Sequence, residues 1–116
     1  AIFVQQGGSL TIAGPLTVDG NTVAGGSGGG SGAGGGSALG SGLFVQGNNS
    51  VTFAPGASQT QVFANAIADQ TGSGGTGGNA GTGNINKSGA GTTILSADNT
   101  YAGTTTIAAG TLQVGS

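Results

Sequence analysis

The chain has 116 residues, one basic side chain, three acidic ones and a formal net charge of −2. So neutral a chain, with no basic stripe to displace counterions, argues against nucleic acid as a partner. The absence of His and Cys removes Ser-His and Cys-His nucleophiles, disulfides, and imidazole or thiolate metal sites.

The expected elements begin at once. Ile2-Phe3-Val4-Gln5 reads as a strand, followed by Gly7-Gly8, a second strand at Ser9-Leu10-Thr11-Ile12, and the turn Ala13-Gly14-Pro15. The same phrase returns as Leu43-Phe44-Val45-Gln46, Ser50-Val51-Thr52-Phe53 and Ala54-Pro55-Gly56. Both strands are displaced by one interval, 43 − 2 = 41 and 50 − 9 = 41. This is an internal repeat, which argues for a repetitive fold. Strand periodicity pairs Leu10 and Ile12 with Val51 and Phe53 as inward residues, leaving Thr11 and Thr52 outward. The four phenylalanines, Phe3, Phe44, Phe53 and Phe63, all fall in strands and are expected in a stacked core. A further strand follows each copy, Leu16-Thr17-Val18 in the first and Thr60-Gln61-Val62-Phe63 in the second. The segment Ala64 to Asp69 reads as a short strand or a single helical turn, and its place in the repeat favours the strand.

Two tracts interrupt this order. Residues 25–42 hold 11 Gly in 18 positions and residues 72–83 hold 7 in 12. Neither carries enough apolar surface to repay the ordering entropy of its glycines, so both are expected as loops ejected from the body of the fold. The rest of the chain is expected as a single unit over residues 1–116, beginning and ending in strands, like a segment of a longer repeat protein. No stretch of about 20 apolar residues that could span a bilayer is present.

The last third is the most regular. Short β-branched and aliphatic runs, Thr92 to Leu95, Thr104 to Ile107 and Thr111 to Val114, alternate with brief Gly, Ala, Asn and Asp turns. In the last two runs, Thr105, Ile107, Leu112 and Val114 share one face, and Thr106 and Gln113 the other. The connections carry no Asn-Gly hairpin signal. The spacing therefore allows a coil of stacked strands as well as an antiparallel sandwich.

Residues Asn84 to Gly115 resemble the autotransporter-associated β-strand repeat. The resemblance rests on Lys87-Ser88-Gly89-Ala90-Gly91, Asn99-Thr100-Tyr101, Gly103-Thr104-Thr105-Thr106-Ile107 and Ala109-Gly110-Thr111-Leu112-Gln113-Val114-Gly115. One departure is Thr93, which stands where the family has an inward Leu, with Ile94 in place of a polar residue. The resemblance implies an all-β, right-handed parallel β-helix in the exported passenger of a bacterial surface protein. With rungs of roughly 20 to 25 residues, the chain outside its glycine-rich loops makes about four coils.

Few side chains offer chemistry. Asp19, Asp69 and Asp98 are scattered, Lys87 is the only base, and each aspartate suits a turn, so neither catalysis nor a cofactor is expected. Calcium would need six to eight oxygens, several from carboxylates. One clear Thr-x-Thr, Thr104 to Thr106, is too little for a threonine array. Asn21, Asn65 and Asn99 are candidates for a stacked amide ladder. Tyr101 is the one candidate interaction residue, since an exposed Tyr can stack on a sugar or anchor an interface, although its place in the repeat favours packing at the turn. The expected role is a structural stalk or display segment, extracellular or on the bacterial surface, whose partners are neighbouring coils of the same chain. The alternatives are an adhesin that binds glycans or a host protein through a neutral polar surface, and a self-associating module.

Overall fold

The computed structural model describes residues 1–115, and these form a parallel β-helix. The first rung consists of β1 (Ile2–Val4), β2 (Leu10–Ala13) and β3 (Leu16–Val18). The second consists of β4 (Leu43–Val45), β5 (Asn49–Ala54) and β6 (Thr60–Phe63). The third consists of β7 (Ile67–Asp69), β8 (Gly83–Lys87) and β9 (Thr92–Leu95). Two strands, β10 (Thr105–Ile107) and β11 (Thr111–Val114), begin a fourth. Every pairing between rungs is parallel. The strands stack into three sheets, ordered β1-β4-β7, β10-β8-β5-β2 and β11-β9-β6-β3.

The 41-residue repeat is the register of the ladder itself. Ile2 pairs with Leu43, and Leu10 with Val51. Where no loop intervenes a rung is shorter: Ile85 pairs with Thr105 and Thr93 with Leu112, intervals of 20 and 19 residues. The extra length between the first two rungs is largely the glycine tract.

Alternation along each strand sends one set of residues into the coil, where identical positions stack in columns. Leu10, Val51 and Ile85 form one column and Val18, Phe63 and Leu95 another, and the second- and third-rung members of both are essentially solvent-free. Phe53 meets Phe63 edge to face across the interior, with ring centroids 5.0 Å apart and planes at 74°, a geometry that aromatic quadrupoles favour. Thr105, Ile107, Leu112 and Val114 lie over the inward positions of the third rung as expected. No rung covers them, however, so Ile107 and Val114 are exposed.

Three expectations are corrected. Phe3 and Phe44 are not core: Ile2, Val4, Leu43 and Val45 take the inward positions, so the phenylalanine between each pair points out, and Phe3 is 61% exposed. An all-apolar triplet gives alternation nothing to work on, which is why the facing of these two residues was ambiguous. Residues Gly83–Lys87, not assigned to a strand from sequence, are the central strand that joins β5 to β10. The third correction concerns the asparagines. Asn21 Nδ2 donates to Asn65 Oδ1 at 3.0 Å, whereas Asn99 instead accepts the Ile67 N–H at 2.8 Å, so the ladder stops at two members.

The glycine tracts leave the coil at two different corners. Residues 19–42 connect β3 to β4, and their arms fold back on each other, with Gly36 N–H donating to the Gly26 carbonyl at 2.8 Å. Residues 70–82 connect β7 to β8 and contain a short 3-10 turn at Gly77–Asn79. The first tract flanks one end of the strands in the β1-β4-β7 sheet, and the second flanks the other end.

Candidate functional site

The residues that sequence reasoning singled out at the end of the chain meet at one corner and one end of the coil. Lys87 closes β8 at an inward position, stacked on Phe53 and beneath Ile107, and is wholly buried. Its stem fills core space while Nζ donates to the carbonyls of Ser88 and Gly89, both at 2.9 Å, and of Ala109 at 3.1 Å. Burial pushes its pKa below the ordinary 10.5. These bonds close the β8–β9 corner and tie it to the β10–β11 corner above.

Two glycines make the approach between these corners close enough. Gly89 has φ of +74° and Gly110 of +70°. A Cβ at Gly110 would fall onto the carbonyl oxygens of Gly89 and Gly91 and within 2.6 Å of Lys87 Nζ. The Lys-Ser-Gly-x-Gly and Ala-Gly-Thr-Leu phrases are thus two sides of one contact.

The next phrase, Asn99-Thr100-Tyr101-Ala102, runs along β7 where a fourth strand of that sheet would lie. Thr100 N–H donates to the Ile67 carbonyl at 2.9 Å, and Ala102 N–H to Asp69 Oδ2 at 2.6 Å. Asp69 is wholly buried and also accepts the N–H groups of Gly72 at 2.6 Å and Gly83 at 2.8 Å. One carboxylate therefore holds the start of the second glycine tract, the start of β8 and the final coil.

Residues 85–114 match the family model of the passenger-associated-transport-repeat. They are an autotransporter passenger repeat. The matched segment is the stretch whose Lys87, Gly89, Tyr101 and Gly110 have just been placed, so the passenger repeat comprises β8 from Ile85 on, β9, β10 and β11. No curated protein and no solved structure matches the chain.

Within the passenger repeat Tyr101 is half-buried against the core, and its hydroxyl lies 2.8 Å from Thr105 Oγ1. It borders a cavity of about 470 Å³ with Leu95, Asn99 and Val114, the uncovered interior at the fourth-rung end. Thr93, the departure from the repeat pattern, does face inward. Its Oγ1 donates to Gln61 Oε1 at 3.1 Å, and Gln61 Nε2 donates to the carbonyls of Ile12 and Gly14. The Thr is accommodated because a polar partner already occupies the same column. The three carboxylates do not converge: Asp19 is exposed and accepts its neighbour Gly20 N–H at 2.7 Å, Asp98 borders the end cavity, and Asp69 is turned into the core.

A second feature lies outside the passenger repeat. Phe3 and Phe44 are in register on β1 and β4, with ring centroids 5.9 Å apart and planes within 3° of parallel. With Ser37 and Leu39 of the first glycine tract they line an open depression of about 250 Å³. A contiguous space of about 400 Å³ extends from Phe44 to Gln70, Ser73 and Asn79 at the second tract. Sequence reasoning missed this groove because neither the outward facing of Phe3 and Phe44 nor the corner chosen by each glycine tract is local information.

Proposed function

We propose that this segment is a stretch of stalk in the passenger of a bacterial autotransporter, outside the cell or on its surface, where it holds other parts of the passenger away from the membrane. The supporting observation is the unbroken parallel stacking of all three sheets, so that every interior strand is hydrogen-bonded on both sides. In such a fold each rung is stabilised by the rungs above and below, and length is set by rung number. Strand spacing gives each rung about 4.8 Å of rise. The uncovered inward face of Thr105, Ile107, Leu112 and Val114 is of the kind the next coil of the same chain would cover.

Amide hydrogen exchange at several protein concentrations tests this reading. A stalk segment shows slow exchange in β4, β5, β6 and β8 at every concentration, with fast exchange in residues 25–36. Protection that appears only as concentration rises would make the segment a self-associating module and sink the stalk reading.

A further inference from the structure

We propose that the outer face of the β1-β4-β7 sheet, between the two glycine-rich loops, is a binding groove for a neutral carbohydrate chain, with Phe3 and Phe44 as its floor. This goes beyond the stalk reading and does not depend on it.

The floor argues for a ligand with flat, partly apolar faces. Two phenyl rings held parallel on adjacent strands, one of them 61% exposed, leave apolar surface in water that folding alone does not cover. A pyranose presents a face of C–H groups that can cover such a ring while its hydroxyls project sideways. The walls answer those hydroxyls. Ser37 lines the groove from the first glycine tract, and Gln70 and Asn79 line it from the second, mixing hydroxyl and amide groups that both donate and accept. Gln70 is held in place by the Gly47 N–H, which donates to its Oε1 at 2.7 Å.

Charge and topology favour a neutral ligand lying across the face of the sheet. Among the described residues no charged side chain lines the groove: Lys87 is inside the coil, and Asp69 is turned inward. An ionic ligand would lose its hydration there without gaining a counter-charge. An extended peptide binds a sheet by pairing with a free edge; β4, which carries Phe44, is bonded to β1 and β7, so the centre of the floor presents a face and no edge. The glycine tracts acquire a role as well. They leave the coil at opposite ends of one sheet and form the two sides of the same groove.

Amide chemical-shift titration of the 116-residue chain with cellohexaose, laminarihexaose, maltohexaose, mannohexaose and chitohexaose tests the assignment. The expected result is saturable shifts at Phe3, Ser37, Leu39, Phe44, Gln70, Ser73 and Asn79 with at least one of the five. Phe44→Ser should weaken that binding about tenfold or more, the effect of losing a central aromatic anchor. Asn79→Ala, at an exposed wall position, should weaken it several-fold while leaving the melting temperature unchanged, which keeps the test decisive if Phe44→Ser folds poorly. No saturable shift with any of the five sugars overturns the proposal, as do shifts confined to the Tyr101 end or unchanged binding by Asn79→Ala. Shifts at Phe3 and Phe44 that follow protein concentration without sugar would give the face to a second copy of the chain, and would also overturn it.

Discussion

Lys87 Nζ donates to the Ala109 carbonyl at 3.1 Å from inside the coil, so the only cationic side chain of the protein joins the third rung to the fourth. A buried ammonium is stabilising only relative to an unpaired one; an apolar side chain of similar shape often does as well. Lys87→Met is therefore expected to unfold within about 1 kcal/mol of the parent at pH 7, whereas Lys87→Ala, which also empties core volume, should lose about 3 kcal/mol. Urea denaturation measures both.

The same residue sets a pH dependence. Burial lowers the folded-state pKa of Lys87 below 10.5. Between that lowered value and 10.5 the unfolded chain holds a proton that the folded chain has shed, so stability rises with pH across this window and levels off above it. The difference in stability between the parent chain and Lys87→Met should shift in the parent's favour as pH climbs toward 10.5. A difference that stays flat, or moves the other way, would show that the three carbonyls outweigh desolvation.

Gly110 and Gly20 separate two costs that glycine substitutions usually mix. Both have positive φ, +70° and +67°. A Cβ at Gly20 meets nothing within 4 Å, while one at Gly110 strikes the backbone of the corner below. Gly20→Ala should cost about 1 kcal/mol, the left-handed backbone penalty alone. Gly110→Ala should cost at least about 2 kcal/mol more, because corner and Lys87 must both move. Equal melting temperatures for the two variants would mean that the corners yield freely.

Much of this architecture is legible from the chain, and what is not has an identifiable reason. The displacement of Leu10 onto Val51 can be read because both copies keep the same residue classes at the same spacing, and that spacing is the hydrogen-bonding register. The inward facing of Leu112 and Val114 can be read because polar residues alternate with them. Phe3 and Phe44 could not be read, since Ile-Phe-Val and Leu-Phe-Val are apolar at every position. Residues Gly83–Lys87 hid for the opposite reason: the inward residues of that strand are Gly83, Ile85 and Lys87, and only the middle one looks like core. The inward position 83 holds glycine because a Cβ there would press on the Val45 side chain at 3.0 Å, and position 87 tolerates lysine because its ammonium finds carbonyls at a corner. The place of Tyr101 in the repeat points to packing at its turn, but only the run of its backbone along β7 shows that it borders the end of the core.

Gln61 and Thr93 form a polar pair inside an otherwise apolar coil, and their coupling is measurable. Thr93→Val keeps the shape but leaves Gln61 Oε1 without its donor, which should cost about 1–2 kcal/mol. Gln61→Leu leaves Thr93 Oγ1 and the Ile12 and Gly14 carbonyls without that partner and should cost more. The double variant should be more stable than the sum of the two losses predicts, by about 1 kcal/mol, since neither partner then remains stranded. Strict additivity in a double-mutant cycle would show that water replaces the missing group.

Asp69 gives the most local readout. Its carboxylate accepts N–H groups from Gly72, Gly83 and Ala102, which belong to the second glycine tract, β8 and the last coil. Hydrogen bonds to a charged acceptor contribute about 1.5–3 kcal/mol each. Asp69→Asn supplies one amide oxygen, while its NH2 must face donors, so at least one N–H loses its acceptor and global stability should fall by about 2–4 kcal/mol. Amide exchange should quicken most at Gly72, Gly83 and Ala102, with β2 and β5 changing only as much as the global loss requires. If instead exchange quickens uniformly along the chain, the carboxylate acts as a general core contact and does not tie these three segments together.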